Sequence, residues 1–143
     1  MIALQIESTR EFLNLLLEGN EYDSFQVGNC EVTTFVTFAT DGRRQVTEED
    51  EEEHSDRVHW SELKATVIEM IRTSPVSGSL KLDLFRYMSR DMGSIRIDFR
   101  DGKFTLTTGY MQKEFSLDKR GSEDWDDVCM QQLSRNAISM TVL

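Results

Sequence analysis

Short blocks of alternating apolar and polar residues make up most of this chain, interrupted by stretches with the wider spacing of a helix. Ile2, Leu4 and Ile6 share one face of an opening strand. Ser8-Thr9-Arg10-Glu11 then matches a capping box, in which Ser8 and Glu11 satisfy each other's free N–H groups. Phe12, Leu13, Leu15, Leu16 and Leu17 continue it as a short helix that stops near Gly19-Asn20. From Phe25 to Thr40 the period is two, and the run of Thr, Val and Phe predicts one long strand with a bulge near Gly28-Asn29. Asp41-Gly42 predicts a tight turn, after which Arg43 to Val46 returns as a short strand.

Trp60, Leu63, Val67, Met70 and Ile71 recur at helical spacing and mark the clearest amphipathic helix, which ends before Pro75. Leu80, Leu82 and Leu84 alternate with Lys81 and Asp83 as a strand to about Phe85, although Leu80, Leu84, Tyr87 and Met88 also suit a helix. Ile95, Ile97 and Phe99 lead into Asp101-Gly102, and Phe104, Leu106 and Thr108 lead away, the pattern of a two-residue hairpin. Gly109 interrupts this run, and Met111 to Leu117 reads as a further strand. Ser122 caps a last helix with Trp125, Val128, Cys129 and Leu133 inward, and Ile138 to Val142 closes as a short strand. The expected fold is α+β: a mainly antiparallel twisted sheet of about six strands with two to three helices packed on it.

The chain has 143 residues, which suits a single globular domain spanning 1–143. The N-terminus, Met1-Ile2-Ala3-Leu4, lacks the basic leader and apolar run of a secretory signal, and no stretch is apolar enough to span a membrane. Cys30 and Cys129 both fall in apolar patterns and read as buried thiols rather than a disulfide. The net charge is −10, yet residues 47–56 hold seven carboxylates and no Lys or Arg, so the rest carries only −3. Like charges at that density do not pack, so 47–56 is expected to be a solvated acidic loop. With this balance, sequence-independent binding to nucleic acid is not expected, because neutralisation of phosphates drives it.

The segment Thr107-Thr108-Gly109, with Phe115, Asp118-Lys119, Glu123 and Trp125-Asp126, resembles a family of uncharacterised bacterial proteins, a domain of unknown function in clostridial-type bacteria. Phe25 through Asp41-Gly42 and the helix opened by Trp60 match it more weakly. The resemblance covers most of the length and departs at Tyr110, where the family pattern has a small residue. It implies a cytoplasmic protein of a recurring fold, and it implies no activity and no catalytic residue.

Three regions carry candidate chemistry. Thr107, Thr108, Gly109, Asp118, Lys119 and Asp126 gather at strand ends and a helix start, where free N–H groups can hold an anion. The same residues also have structural uses: a bulge at Gly109, a turn at Asp118, and an anchor at Trp125. Glu48, Glu49, Asp50, Glu51, Glu52 and Glu53 could meet a basic protein partner, and with His54 and His59 could bind a divalent cation. Their spacing lacks the central glycine and closing glutamate of an EF-hand, so no metal or other cofactor is assigned. Arg96, Arg100 and Lys103, with Asp98 between, form a possible small anion patch or a seat for the acidic loop.

No Gly-x-Ser-x-Gly, phosphate-binding glycine loop or paired-cysteine motif is present, and neither cysteine has a neighbouring histidine. Glu62-Leu63-Lys64 has the spacing of a nuclease Glu-x-Lys but falls on a helix, the wrong context. The reading leans against an enzyme. It favours a non-enzymatic protein-interaction module, with a small-anion-binding domain at 107–126 and, last, a metal-assisted hydrolase as alternatives. Oligomeric state is left open.

Overall fold

The computed structural model describes residues 1–45, 56–74, 78–89, 91–114 and 117–143. Along the chain the elements are β1 (Ala3–Ile6), α1 (Thr9–Leu17), β2 (Gln26–Thr33), β3 (Thr37–Thr40), α2 (Trp60–Arg72), β4 (Ser79–Met88), β5 (Asp91–Arg100), β6 (Lys103–Met111), α3 (Arg120–Arg135) and β7 (Met140–Val142). Among the described residues the strands form one antiparallel sheet in the order β3-β2-β4-β5-β6-β1-β7, seven strands where about six were expected. The α+β class stands.

Register explains the alternation. Leu4, Leu106, Ile97, Leu82 and Cys30 lie side by side across five strands, and Ile6, Phe104, Phe99, Leu80, Val32 and Phe38 make the next row on the same face. Burying this face against α1, α2 and α3 builds the core. Phe12 of α1 meets Phe104 edge-on at 4.9 Å between ring centres, and the Trp60 indole N–H donates to the Leu16 carbonyl at 2.8 Å. The opposite face carries Gln5, Thr105, Asp98, Lys81 and Glu31 in one row and stays polar.

Asp101 and Gly102 take φ of 53° and 76°, the pair of positive angles that a two-residue hairpin with strand-matched twist needs. Residues 79–88 are strand throughout, and the helical alternative falls away. At Gly28 the register of β2 shifts, as the bulge reading anticipated, and the Phe85 ring covers the space a Cβ would fill.

Several local expectations are overturned. The long strand from Phe25 to Thr40 is a hairpin: the Thr34 N–H donates to the Val36 carbonyl at 2.8 Å, and the Thr33 and Thr37 hydroxyls pair at 3.1 Å. Ser8 does not form the capping box with Glu11; its hydroxyl accepts the Ser139 N–H at 3.0 Å and holds β7 beside β1. Arg43 makes an isolated bridge to Arg57, and no strand is found at the described residues 43–45 of the expected 43–46 run; Val46 lies outside the described residues. β6 runs through Gly109 to Met111, and no strand is found among the described residues 112–114 and 117. Ser122 lies inside α3, which begins at Arg120 because the Asp118 carboxylate accepts the Arg120 N–H at 3.0 Å. Val128 faces solvent, and Gln132 takes the buried place beside Leu133.

Candidate functional site

A strand sends neighbouring side chains to opposite faces, and this splits the expected 107–126 site. Thr107 pairs with Arg96 on the open polar face. Thr108 is buried on the helix side, where its hydroxyl accepts the Ile2 N–H at 2.9 Å and donates to the Asp126 carboxylate. Asp126 is thus spent joining α3 to β6. A Cβ on Gly109 would come within 2.4 Å of the Ser94 hydroxyl, so that glycine permits close strand approach rather than a ligand. Asp118 grips the Arg120 guanidinium at 2.8 and 3.0 Å, which holds its carboxyl down at about 2, while the Asp118 carbonyl accepts from the Gln112 amide at 2.8 Å. Lys119 occupies the N-cap position of α3 and makes no side-chain cap bond. The shallow hollow touching Thr107, Thr108 and Gly109 measures about 250 Å³, below the roughly 300 Å³ at which ligand pockets begin. The six residues do not converge on one point.

Tyr110 donates its hydroxyl to Asp91 and packs over Gly121 at the start of α3.

The acidic residues Glu48 to Glu53, and His54, lie outside the described residues. Their attachment points are described. Arg44 N–H donates to the Asp56 carbonyl at 2.8 Å and Val58 N–H to the Gly42 carbonyl at 2.9 Å, so the segment leaves and returns beside the end of β3. His59 opens α2: its N–H and its Nδ1 lie 3.1 and 3.3 Å from one Glu62 oxygen. Arg44 holds Glu62 with two bonds of 2.8 Å, and this pairing lowers the Glu62 carboxyl to about 2. Among the described residues no three His, Cys, Asp or Glu side chains gather as a metal cluster would need.

Arg96 is paired with Asp83 at 2.9 Å, and Glu31, Lys81 and Asp98 surround them. With three carboxylates to two cations, these five make a mosaic of both signs rather than an anion patch. Cys30 and Cys129 are free and buried, and burial pushes their thiols up to about 11 and about 12, the opposite of an activated nucleophile.

Sequence reasoning passed over the corner where α1, α2 and the β2–β3 turn meet. A cleft of about 630 Å³ opens there, floored by Val32, Leu80, Phe99 and Phe104 and walled by Leu13 and Ile71. Phe38 extends the same row to the sheet edge but is 48% exposed, and Phe35 and Val36 in the adjoining turn are 69% and 43% exposed. The signal is present as Phe35-Val36-Thr37-Phe38, but one long strand from Phe25 to Thr40 accounts for that run without an exposed turn.

A model of a family of unknown function, DUF5721, matches residues 15–141. The chain belongs to that family. No curated protein and no solved structure matches it. Among the residues that carried the resemblance, Thr108 with Asp126 and Trp125 with Ser94 fasten α3 of this DUF5721 member onto β6 and β5, and Gly109 lies against Ser94 of the neighbouring strand. No helix among the described residues is long and apolar enough to cross a membrane.

Proposed function

We propose that this DUF5721 member is a non-enzymatic interaction module, a single domain over 1–143 working in the bacterial cytoplasm, and that it binds another protein at the β2–β3 corner. The observation that carries this is the exposure of Phe35, Val36 and Phe38 together at the edge of the sheet, beside an apolar cleft. Scattered single apolar residues are ordinary on a surface, whereas a group beside a cleft marks a contact site. Glu48, Glu49, Asp50, Glu51, Glu52 and Glu53 are the acidic residues of a segment whose described flanks, Arg44 and Asp56, are bonded to each other beyond the Thr40 end of β3, and their charge would draw a basic partner. Two buried free thiols suit a reducing compartment.

The test is quantitative co-purification from native cells with the wild type, a Phe35→Ser/Val36→Ser variant, and a variant with residues 48–53 changed to their amides. A partner retained by the wild type, lost with either variant and released by salt supports the reading; identical retention by all three overturns it.

A second reading rests on the cleft itself. Its volume of about 630 Å³ falls within the range of small-molecule pockets, and its apolar floor has a polar rim at Thr34, Ser74 and Asp101. It moves the anion-binding alternative away from 107–126 and changes the ligand to an apolar one. A thermal-shift survey with apolar fluorophores distinguishes it: competition by the partner would merge the two readings, and no binding would remove this one.

A further inference from the structure

We propose that β7 is a self-pairing edge: two copies of the chain join their β7 strands antiparallel about a two-fold axis at Thr141, and their sheets become one. This goes beyond the corner reading and uses the opposite edge of the sheet.

β7 ends the strand order among the described residues, where it pairs with β1 alone. The undescribed stretches connect at β2, before β4, between β4 and β5, and beyond the end of β6. Across and along the sheet those places lie about 19 Å or more from Thr141. β7 and the two strands beside it, β1 and β6, are described throughout.

The backbone fixes what this edge offers. The Leu143 N–H donates to the Ala3 carbonyl at 2.9 Å, and the Ser139 carbonyl accepts the Glu7 N–H at 2.8 Å. In an antiparallel ladder the N–H and C=O of one residue point the same way, and successive residues alternate. Ser139, Thr141 and Leu143 thus face β1, and Met140 and Val142 turn their groups outward. A second β7 centred on Thr141 sets Met140 of each copy opposite Val142 of the other. Those two pairs make four hydrogen bonds and use every outward group of the strand. Within β7, a register centred on Met140 or on Val142 makes only two.

The side chains agree with that register. Leu4 pairs with Val142, so Val142 closes the row Cys30, Leu82, Ile97, Leu106 and Leu4 on the helix side. Those five are at most 4% exposed, whereas Val142 is 55% exposed. Met140 of the second copy would lie against it, since cross-strand neighbours on one face touch. On the other face Thr141 meets its own copy, a favourable cross-strand pair. Sheet edges are usually guarded by Lys, Pro or an inward charge, and Met140-Thr141-Val142 has none.

Charge selects a second copy as the occupant. The chain carries −10, so most approaches of two copies set carboxylates against carboxylates. Residues 1–8 and 137–143 hold one charged side chain, Glu7, and it accepts the Thr141 hydroxyl at 2.6 Å. In the pair the two Glu7 positions stand about 19 Å apart by strand spacing and rise, beyond the screening length of about 8 Å. A foreign strand finds no charge here to select it. The pair also leaves both β2–β3 corners free at the far ends of one continuous sheet, so a target with two sites would be held by two corners at once.

A contact of this size belongs with weak, transient complexes, so the test is sedimentation of the full chain from about 10 μM to about 1 mM. The expected result is a concentration-dependent dimer, weakened at least about tenfold by Val142→Lys, which guards the edge, and unchanged by Phe35→Ser/Val36→Ser. Cysteine pairing reads the register. The two residues at 141 form a non-hydrogen-bonded pair with Cα atoms about 4.5 Å apart, within disulfide reach, whereas the two at 143 stand about 14 Å apart. With glutathione disulfide as oxidant, two introduced thiols give up two protons and two electrons, and the oxidant leaves as two glutathione thiols. Thr141→Cys should link at least about tenfold faster than Leu143→Cys, while Cys30 and Cys129 stay buried. Thr141→Cys gives up the bond to Glu7, so if that variant unfolds, Val142→Lys, on an exposed side chain, decides. A monomer throughout, a dimer lost with Phe35→Ser/Val36→Ser but not with Val142→Lys, or equal linking at 141 and 143 would overturn self-pairing. So would a monomer from which Val142→Lys removes a co-purified protein, since the edge would then serve a foreign strand. The corner reading stands or falls separately, on the co-purification with its own variants.

Discussion

The indole of Trp125 lies directly on Gly93, where a Cβ would meet the ring at 2.5 Å, and the Trp125 N–H donates to the Ser94 carbonyl at 3.1 Å. Trp125 is 2% exposed, so α3 is docked by one aromatic ring seated in a gap in β5. Gly93→Ala should therefore destabilise the fold by about 1–3 kcal/mol through overpacking, and Trp125→Ala by about 3–5 kcal/mol through the cavity it leaves. Urea titration measures both. A neutral Gly93→Ala would mean that the ring moves aside without cost.

Thr108 and Asp126 form the second fastening. Because Thr108 is 1% exposed and also receives the Ile2 N–H, Thr108→Val leaves that N–H and the Asp126 oxygen without their partner. A loss of about 1–3 kcal/mol is expected from the desolvated groups left behind. The same substitution should leave retention of the partner in co-purification unchanged. If retention fell while urea stability held, the 107–126 region would regain its standing as a ligand site.

How much of this was legible depended on whether the signal was local. The Asp101-Gly102 hairpin, the Trp60 helix and the row Ile95, Ile97 and Phe99 are written in turn chemistry and period, and they fold as read. The β2–β3 turn was not legible, because Thr34-Phe35-Val36 contains no Gly, Pro, Asn or Asp. Two Thr hydroxyls and one backbone bond close it instead. Ser8 has a cap signature but is claimed by Ser139, a partner 131 residues away. At the candidate site, adjacency in sequence was mistaken for adjacency in space: Thr107 and Thr108 face opposite sides of the sheet. The cleft escaped notice because its walls come from α1, α2, β2, β4, β5 and β6, and no window of sequence contains them.

Acid should act on the Arg44–Glu62 pair. The Glu62 carboxyl, ordinarily near 4.5, is held at about 2 by Arg44, so the folded state gains from its ionisation. That gain is full above about pH 4.5 and is lost as pH falls toward 2. Glu62 is 43% exposed, so solvent screening limits the effect to about 0.5–1 kcal/mol. Comparing the pH dependence of stability for wild type and Arg44→Ala tests this. The two curves should converge on the acid side, and parallel curves would assign the loss to Arg44 packing instead.

Both thiols should be silent in the native state. With burial holding Cys30 at about 11 and Cys129 at about 12, a thiol reagent at pH 8 meets almost no thiolate. The expected result is slow modification limited by opening of the fold, and two rapid equivalents in denaturant. Fast stoichiometric reaction of either cysteine in the native protein would reopen nucleophilic chemistry.

Deleting residues 48–53 separates the two uses considered for the acidic segment. Were it seated on the outer sheet face, removal would cost stability at low salt. That face already pairs charges of both signs, with Arg96 on Asp83 and Lys81 between Glu31 and Asp98, three carboxylates to two cations. Shortening a connection between anchored ends costs little, because closure entropy changes slowly with length. Removing six like charges also relieves self-repulsion. The deletion should thus leave stability within about 0.5 kcal/mol of wild type, or raise it slightly, in low-salt thermal unfolding, as surface changes generally do. At the same time less of the partner should be retained in co-purification at low salt. A drop in melting temperature without a change in retention would place the segment on the sheet face and remove its charge from the partner site.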